Sequence, residues 1–134
     1  MASLGRGPLL VDTDILCNDF KSRSHANTPF RRAIRQFHPI YISVITVFEV
    51  EAGAKAANRE SDIQHFLTYL RVLVLTRPIA MIAASIAADL KKRNKMIQIP
   101  DILIAATALH QDLPILTSNT DHFGRIKEVQ LVFP

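Results

Sequence analysis

The stretch LLVDTDIL, Leu9 to Leu16, decides how the rest of the chain is read. Three apolar residues run into Asp12, Thr13 and Asp14, and the apolar pattern resumes at once with Ile15 and Leu16. A short apolar run of this kind reads as a buried strand. An ionised carboxylate set into it costs on the order of several kcal/mol unless it is paired or bound to a cation. Two carboxylates at one strand end therefore call for a physical reason.

Working outward, similar apolar segments recur at Ile40 to Val44, Val72 to Leu75, Ile115 to Thr117 and Val129 to Phe133. Several are rich in β-branched residues and lack polar alternation, as buried parallel strands do. Helical periodicity fills the gaps. Ile79, Ile82, Ala83, Ile86, Ala87 and Leu90 form one stripe, with Lys91 to Lys95 crowding its C-terminal end, which suits both core packing and the helix dipole. Further helices are expected over 29–38, 46–56, 60–70 and 100–111. Alternating strands and helices imply an α/β domain with a mainly parallel sheet. In such sheets, sites form beyond the carboxyl ends of strands near a topological switch point, and Asp12 sits where the first strand should end.

With 134 residues, 49% of them hydrophobic and 21% charged, the chain has the usage of one ordinary globular domain. Residues 1–7, MASLGRG, are expected as a flexible tail and residues 8–134 as a single domain. The longest apolar stretch, ISVITVFEV, is far short of the roughly 20 residues of a membrane span, and no signal-type apolar core follows the first residues. A cytoplasmic protein is expected. The lone Cys17 excludes an internal disulfide and a CxxC knuckle, and the five histidines show no HExxH spacing. The net charge of +4 gathers in patches at Lys21 and Arg23, at Arg31, Arg32 and Arg35, and at Lys91 to Lys95, compatible with a polyanionic partner or with solvated helix faces.

More acids lie in unusual surroundings. Glu49 follows the second strand, where Thr46 and Glu49 also have capping-box spacing. Asp101, in IPDILIAATAL, suits a helix first turn, yet shares a face with Ile104, Ala105 and Ala108 that should pack inward. ILTSNTDHF, Ile115 to Phe123, follows another strand, and there Ser118 or Asn119 could cap a helical turn while Asp121 and His122 could be surface residues. Carboxylates converging on one spot cannot all stay ionised unaided. A hard divalent cation such as Mg²⁺ or Mn²⁺, which takes oxygen ligands, resolves the conflict.

In order, LLVDTDIL, ISVITVFEVEAG, IPDILIAATAL and ILTSNTDHFGRI resemble the PIN-domain ribonucleases, in particular the VapC-type toxins of toxin–antitoxin pairs. The likeness covers essentially the whole chain after residue 7. It implies a three-layer α/β/α sandwich around a parallel sheet, a Mg²⁺- or Mn²⁺-dependent endoribonuclease acting on RNA, a homodimer, and inhibition by a cognate antitoxin. By position, Asp12, Glu49 and Asp101 match the family carboxylates that hold the metal and serve catalysis. Thr13 and Thr46 match polar residues flanking them, and Asn119 matches the asparagine after the last core strand. Family members often carry an acid immediately before the phenylalanine of the last segment. Here His122 stands there, leaving Asp121, His122 or Asp14 as alternatives for a fourth ligand. Lys21, Arg23, Arg31, Arg32 and Arg35 are expected to hold the RNA backbone, contacts that position without reading sequence.

Two other functions compete. A phospho-acceptor receiver domain shares the length and the acidic pair, but it needs an acceptor Asp ending a middle strand and a late Lys. Val44 and Leu75 end those strands, and ILTSNT holds no Lys. A PIN-fold protein that binds RNA or a partner without turnover is the second alternative, and His122 is the departure that favours it.

Overall fold

A computed structural model describes residues 5–22 and 27–134. Of the expected tail, residues 1–4 lie outside the described residues; Arg6 N–H donates to the Gln36 carbonyl, and His38 N–H to that of Gly7.

Among the described residues five parallel strands, β1 (Leu9–Val11), β2 (Ile40–Ser43), β3 (Arg71–Leu73), β4 (Ile115–Leu116) and β5 (Leu131–Val132), form one sheet in the order β3-β2-β1-β4-β5. The order reverses between β1 and β4, so the crevice beyond their carboxyl ends is the place such a sheet offers for a site. Asp12 follows β1 and Thr117 follows β4. Among the described residues seven helices surround the sheet: α1 (Thr13–Lys21), α2 (Pro29–Gln36), α3 (Val44–Ala56), α4 (Glu60–Leu67), α5 (Arg77–Lys92), α6 (Ile99–His110) and α7 (Thr120–Gly124).

Strand alternation divides the core. Leu9 and Val11 face one cluster with Ile15, Leu16, Phe30, Val50 and Ile63 from α1 to α4, whereas Leu10 faces another with Ile79, Leu90, Ile104, Ala105 and Phe123 from α5 to α7. This is the expected three-layer sandwich. α3, α5 and α6 end alike. Asn58, Asn94 and Asp112 take left-handed backbone conformations, and the following N–H groups of Arg59, Lys95 and Leu113 return to the carbonyls of Ala54, Leu90 and Ala108, the arrangement that satisfies orphaned helix-end carbonyls.

Two differences from the sequence reading stand out. α1 is a helix where only a resumed apolar pattern was visible: Ile15, Leu16 and Asp19 are buried, and a polar residue on the inner face obscures the period. Its cap is Asp12, with Asp14 in the first turn. β3 ends at Leu73, so Val74 and Leu75 are exposed connection rather than strand.

The buried Asp19 joins α1 to α2. It accepts from Thr28 Oγ1 and faces Arg31 Nε at 3.5 Å, while Thr28 also caps α2 through Arg31 N–H. Asp19→Ala strands these partners, and a half-exposed Arg31 softens the loss. The expected cost is about 1–3 kcal/mol, measured as a lower urea midpoint at unchanged slope.

Candidate metal and catalytic centre

β1 delivers Asp12 to the switch point, 4% exposed. Its Oδ1 accepts from Thr13 N–H at 2.8 Å and its Oδ2 from the Thr117 hydroxyl at 2.8 Å, and Asp12 N–H pairs with the Leu116 carbonyl across the two strands. Thr117 in turn accepts from Asn119 N–H. Sequence reasoning missed Thr117. Its only mark was a hydroxyl ending an apolar strand beside the switch point.

Thr13 carries the connection to α3. Its hydroxyl has one proton, which goes to Glu49 Oε1 at 2.7 Å, so the buried Thr46 hydroxyl, 2.9 Å away, donates to Thr13. The capping-box alternative for Thr46 and Glu49 is thereby overturned. α3 begins earlier, at Val44, and is capped by Ser43; Thr46 and Glu49 turn to the centre instead.

Asp101 opens α6 on the face that buries Ile104, Ala105 and Ala108. Burial raises the Asp12 carboxyl pKa to about 7, helped by the negative charges of Asp14 and, more weakly, Asp101, and opposed by the Thr117 and Thr13 hydrogen bonds. Asp14 is also raised, chiefly by burial. Its Oδ2 accepts from Ser118 N–H at 3.2 Å, but its Oδ1 is buried without a hydrogen-bond partner.

The last segment departs from the expected ligand set. Asn119 caps α7, and Asp121 is turned outward, 76% exposed at its side chain and bonded to Arg125 at 2.8 Å. Asp121 is therefore not in the centre. An i,i+4 partner draws it along the helix surface. His122 is in the centre instead, its Nδ1 lying 3.2 Å from Asp101 Oδ2 and 2.9 Å from Asn119 Nδ2.

The expected RNA contacts separate similarly. Lys21 lines a groove of about 290 Å³ together with Cys17, Glu49 and Arg59; the Arg59 guanidinium stacks on Phe20 and pairs with Asp62 at 3.1 Å. Arg59, a cation outside any charge run, was not picked out by sequence. Arg31 is engaged by Asp19, and Arg32 and Arg35 both donate to Asn27, so these three serve the α1–α2 corner. Arg23 lies outside the described residues. The Cys17 thiol is pushed up in pKa by burial, which makes it a poor nucleophile.

As they stand, no three His, Cys, Asp or Glu side chains among the described residues close round an ion. The donors nevertheless fit a hard cation. They are predominantly carboxylate oxygens, one of them buried and orphaned, and the charges of Asp14 and Asp101 raise the Asp12 pKa where only positive charge is lacking.

A family model described as the PIN domain matches residues 9–129. The chain belongs to the PIN-domain family. It is 32% identical to a ribonuclease VapC of Rickettsia bellii over 131 residues, 92% of this chain and 94% of that protein. With ribonuclease VapC1 of Methanocaldococcus jannaschii it shares 30% over 123 residues, 92% of this chain and 84% of the relative. Among solved structures, VapBC-1 from nontypeable Haemophilus influenzae superposes with a TM-score of 0.82 at 25% identity, covering 94% of this chain and 97% of that one. No helix among the described residues is long and apolar enough to cross a membrane.

The raised Asp12 pKa has a signed consequence for this PIN domain. Between about pH 4 and pH 7 the folded state holds a proton that the unfolded chain releases, so with chelator present stability falls as pH rises through this window. Asp12→Asn keeps an acceptor for Thr13 and removes the charge. In EDTA its melting temperature is expected to exceed that of the wild type at pH 8 and to converge with it near pH 4, as followed by calorimetry.

Proposed function

We propose that this chain is a metal-dependent endoribonuclease, a VapC-type toxin that hydrolyses RNA phosphodiester bonds with Mg²⁺ or Mn²⁺ and is neutralised by a cognate antitoxin. The observation that carries the reading is the buried Asp12 at the β1–β4 switch point, with Asp14 and Asp101 near enough to raise its pKa. A fold needs no such conflict for stability, whereas a cation-binding centre does. The relatives named ribonuclease VapC support the reaction, and the VapBC likeness supports the antitoxin.

When bound, the ion supplies an acidified water and offsets charge developing on the phosphoryl group. The protein's own residues do the positioning. Asp12 and Asp101 would hold the ion with Glu49, and Asp14 Oδ1 is a further free oxygen. Thr13 N–H and the Thr117 hydroxyl fix both Asp12 oxygens, while the Thr13 hydroxyl fixes Glu49 relative to them. Lys21 and Arg59, beside Glu49, would receive the RNA backbone. The same groove has an apolar floor of Leu16, Phe20, Val50, Ala54 and Ile63, which suits an apolar antitoxin segment that would cover Glu49.

Exposed apolar side chains on α3 (Phe48), the β3–α5 connection (Val74, Leu75), α5 (Met81) and the start of α6 (Ile99) support a homodimer, because α6 packs against both α3 and α5. Light scattering is expected to give twice the chain mass for the wild type and a monomer for Phe48→Glu; a monomeric wild type would refute the dimer.

Asp12→Asn and Asp101→Asn, each assayed on structured RNA with Mg²⁺ or Mn²⁺, are expected to lose about 100-fold or more in cleavage rate while keeping native circular dichroism. Undiminished turnover by either variant refutes the assignment, and a wild type that binds RNA without cleaving it favours the non-catalytic alternative.

A further inference from the structure

The centre contains one donor that an oxygen-only site would not. His122 N–H donates to Asn119 Oδ1 at 3.4 Å, which orients that amide so that its Nδ2 faces His122 Nδ1 at 2.9 Å. An amide nitrogen only donates, so in the tautomer that accepts from Nδ2 the lone pair lies on Nδ1. That lone pair also faces Asp101 Oδ2, 3.2 Å away. In that tautomer two potential ligand atoms, Nδ1 and Oδ2, lie side by side, and with a proton on Nδ1 the same atoms form an ion pair. A cation in place of that proton can bind both atoms.

The spacing suits a shared ion. Adjacent ligands of an octahedral cation bonded at about 2.1 Å lie roughly 3.0 Å apart, close to the 3.2 Å separation of Nδ1 and Oδ2. Asp121, the oxygen donor next in sequence, is held away by Arg125.

We propose that His122 Nδ1 is a metal ligand beside Asp101, and that it makes this centre select an imidazole-tolerant first-row ion over Mg²⁺. The inference rests on the metal-dependent reading above. Imidazole raises affinity for transition ions along the series from Mn²⁺ to Co²⁺ and adds little for Mg²⁺, which prefers oxygen. His122 is then a determinant of metal choice, with Asn119 holding its ring in orientation until an ion takes the lone pair.

The probe is Mn²⁺ alone, added to tag-free full-length protein. Pulsed electron paramagnetic resonance is expected to show ¹⁴N modulation from a coordinated imidazole, replaced by a ¹⁵N signature when only the histidines carry ¹⁵N. In parallel, calorimetric titrations of wild type and His122→Asp with Mn²⁺, Co²⁺ and Mg²⁺ are expected to show the Mn²⁺-to-Mg²⁺ affinity ratio falling about tenfold or more in the variant, with a larger fall for Co²⁺. Bound Mn²⁺ without histidine nitrogen coupling overturns the role of His122 and leaves the nuclease reading intact; so does a folded His122→Asp with an unchanged ratio. A wild type that binds none of the three ions overturns both. Should the variant not fold, the labelled wild-type spectrum decides alone.

Discussion

The carboxylate of Asp12, buried at the point where strand order reverses, is the constraint around which the rest of the molecule is arranged. β1 is short and apolar, so it delivers Asp12 into the interior rather than to the surface. β4 lies alongside and presents Thr117, whose hydroxyl meets Oδ2. α1 begins at once, so its first N–H meets Oδ1. Two neutral hydrogen bonds lower the carboxyl pKa but do not overcome burial and the neighbouring charges, and the pKa stays near 7. Folding therefore leaves an electrostatic deficit of one sign at one place. Thr13 extends the same centre to α3 by holding Glu49, and α6 contributes Asp101 from the other face of the sheet.

Much of the architecture could be read from the chain because buried parallel strands and amphipathic helices leave strong periodic patterns. The stripe from Ile79 to Leu90 became α5, and the small-residue face following Asp101 became the buried side of α6. What could not be read was local competition. α1 hides its period because Asp19 occupies an inward position, a choice that makes sense only once Thr28 and Arg31 arrive from α2. The Thr46–Glu49 spacing fits a cap equally well, and only the earlier start of α3 at Val44, capped by Ser43, frees both side chains for the centre.

The basic residues show the same dependence on tertiary context. Arg31, Arg32 and Arg35 form a dense patch in sequence and bond to Asp19 and Asn27 at the α1–α2 corner. Lys21 and Arg59, far apart in sequence, flank the groove beside Glu49. Charge density along the chain is thus a poor guide to where a phosphate backbone would lie. Proximity to the acidic centre is the better one, because a polyanion approaching like charges needs cations at the rim.

Asp121 and His122 exchange the roles that their chemistry would first suggest. The acid, nominally the better ligand for a hard cation, is turned to solvent by Arg125 one helical turn later. The imidazole turns inward because α7 is capped by Asn119, whose amide holds both the His122 N–H and the His122 ring. A single helical turn thereby decides which of two adjacent side chains faces Asp101. The consequence is chemical rather than structural: a carboxylate-only cluster favours a hard cation, whereas an imidazole nitrogen set 3.2 Å from a carboxylate oxygen adds a donor that suits first-row transition ions. On the proposed metal-dependent reading, the departure at His122 changes which ion would complete the centre rather than abolishing it.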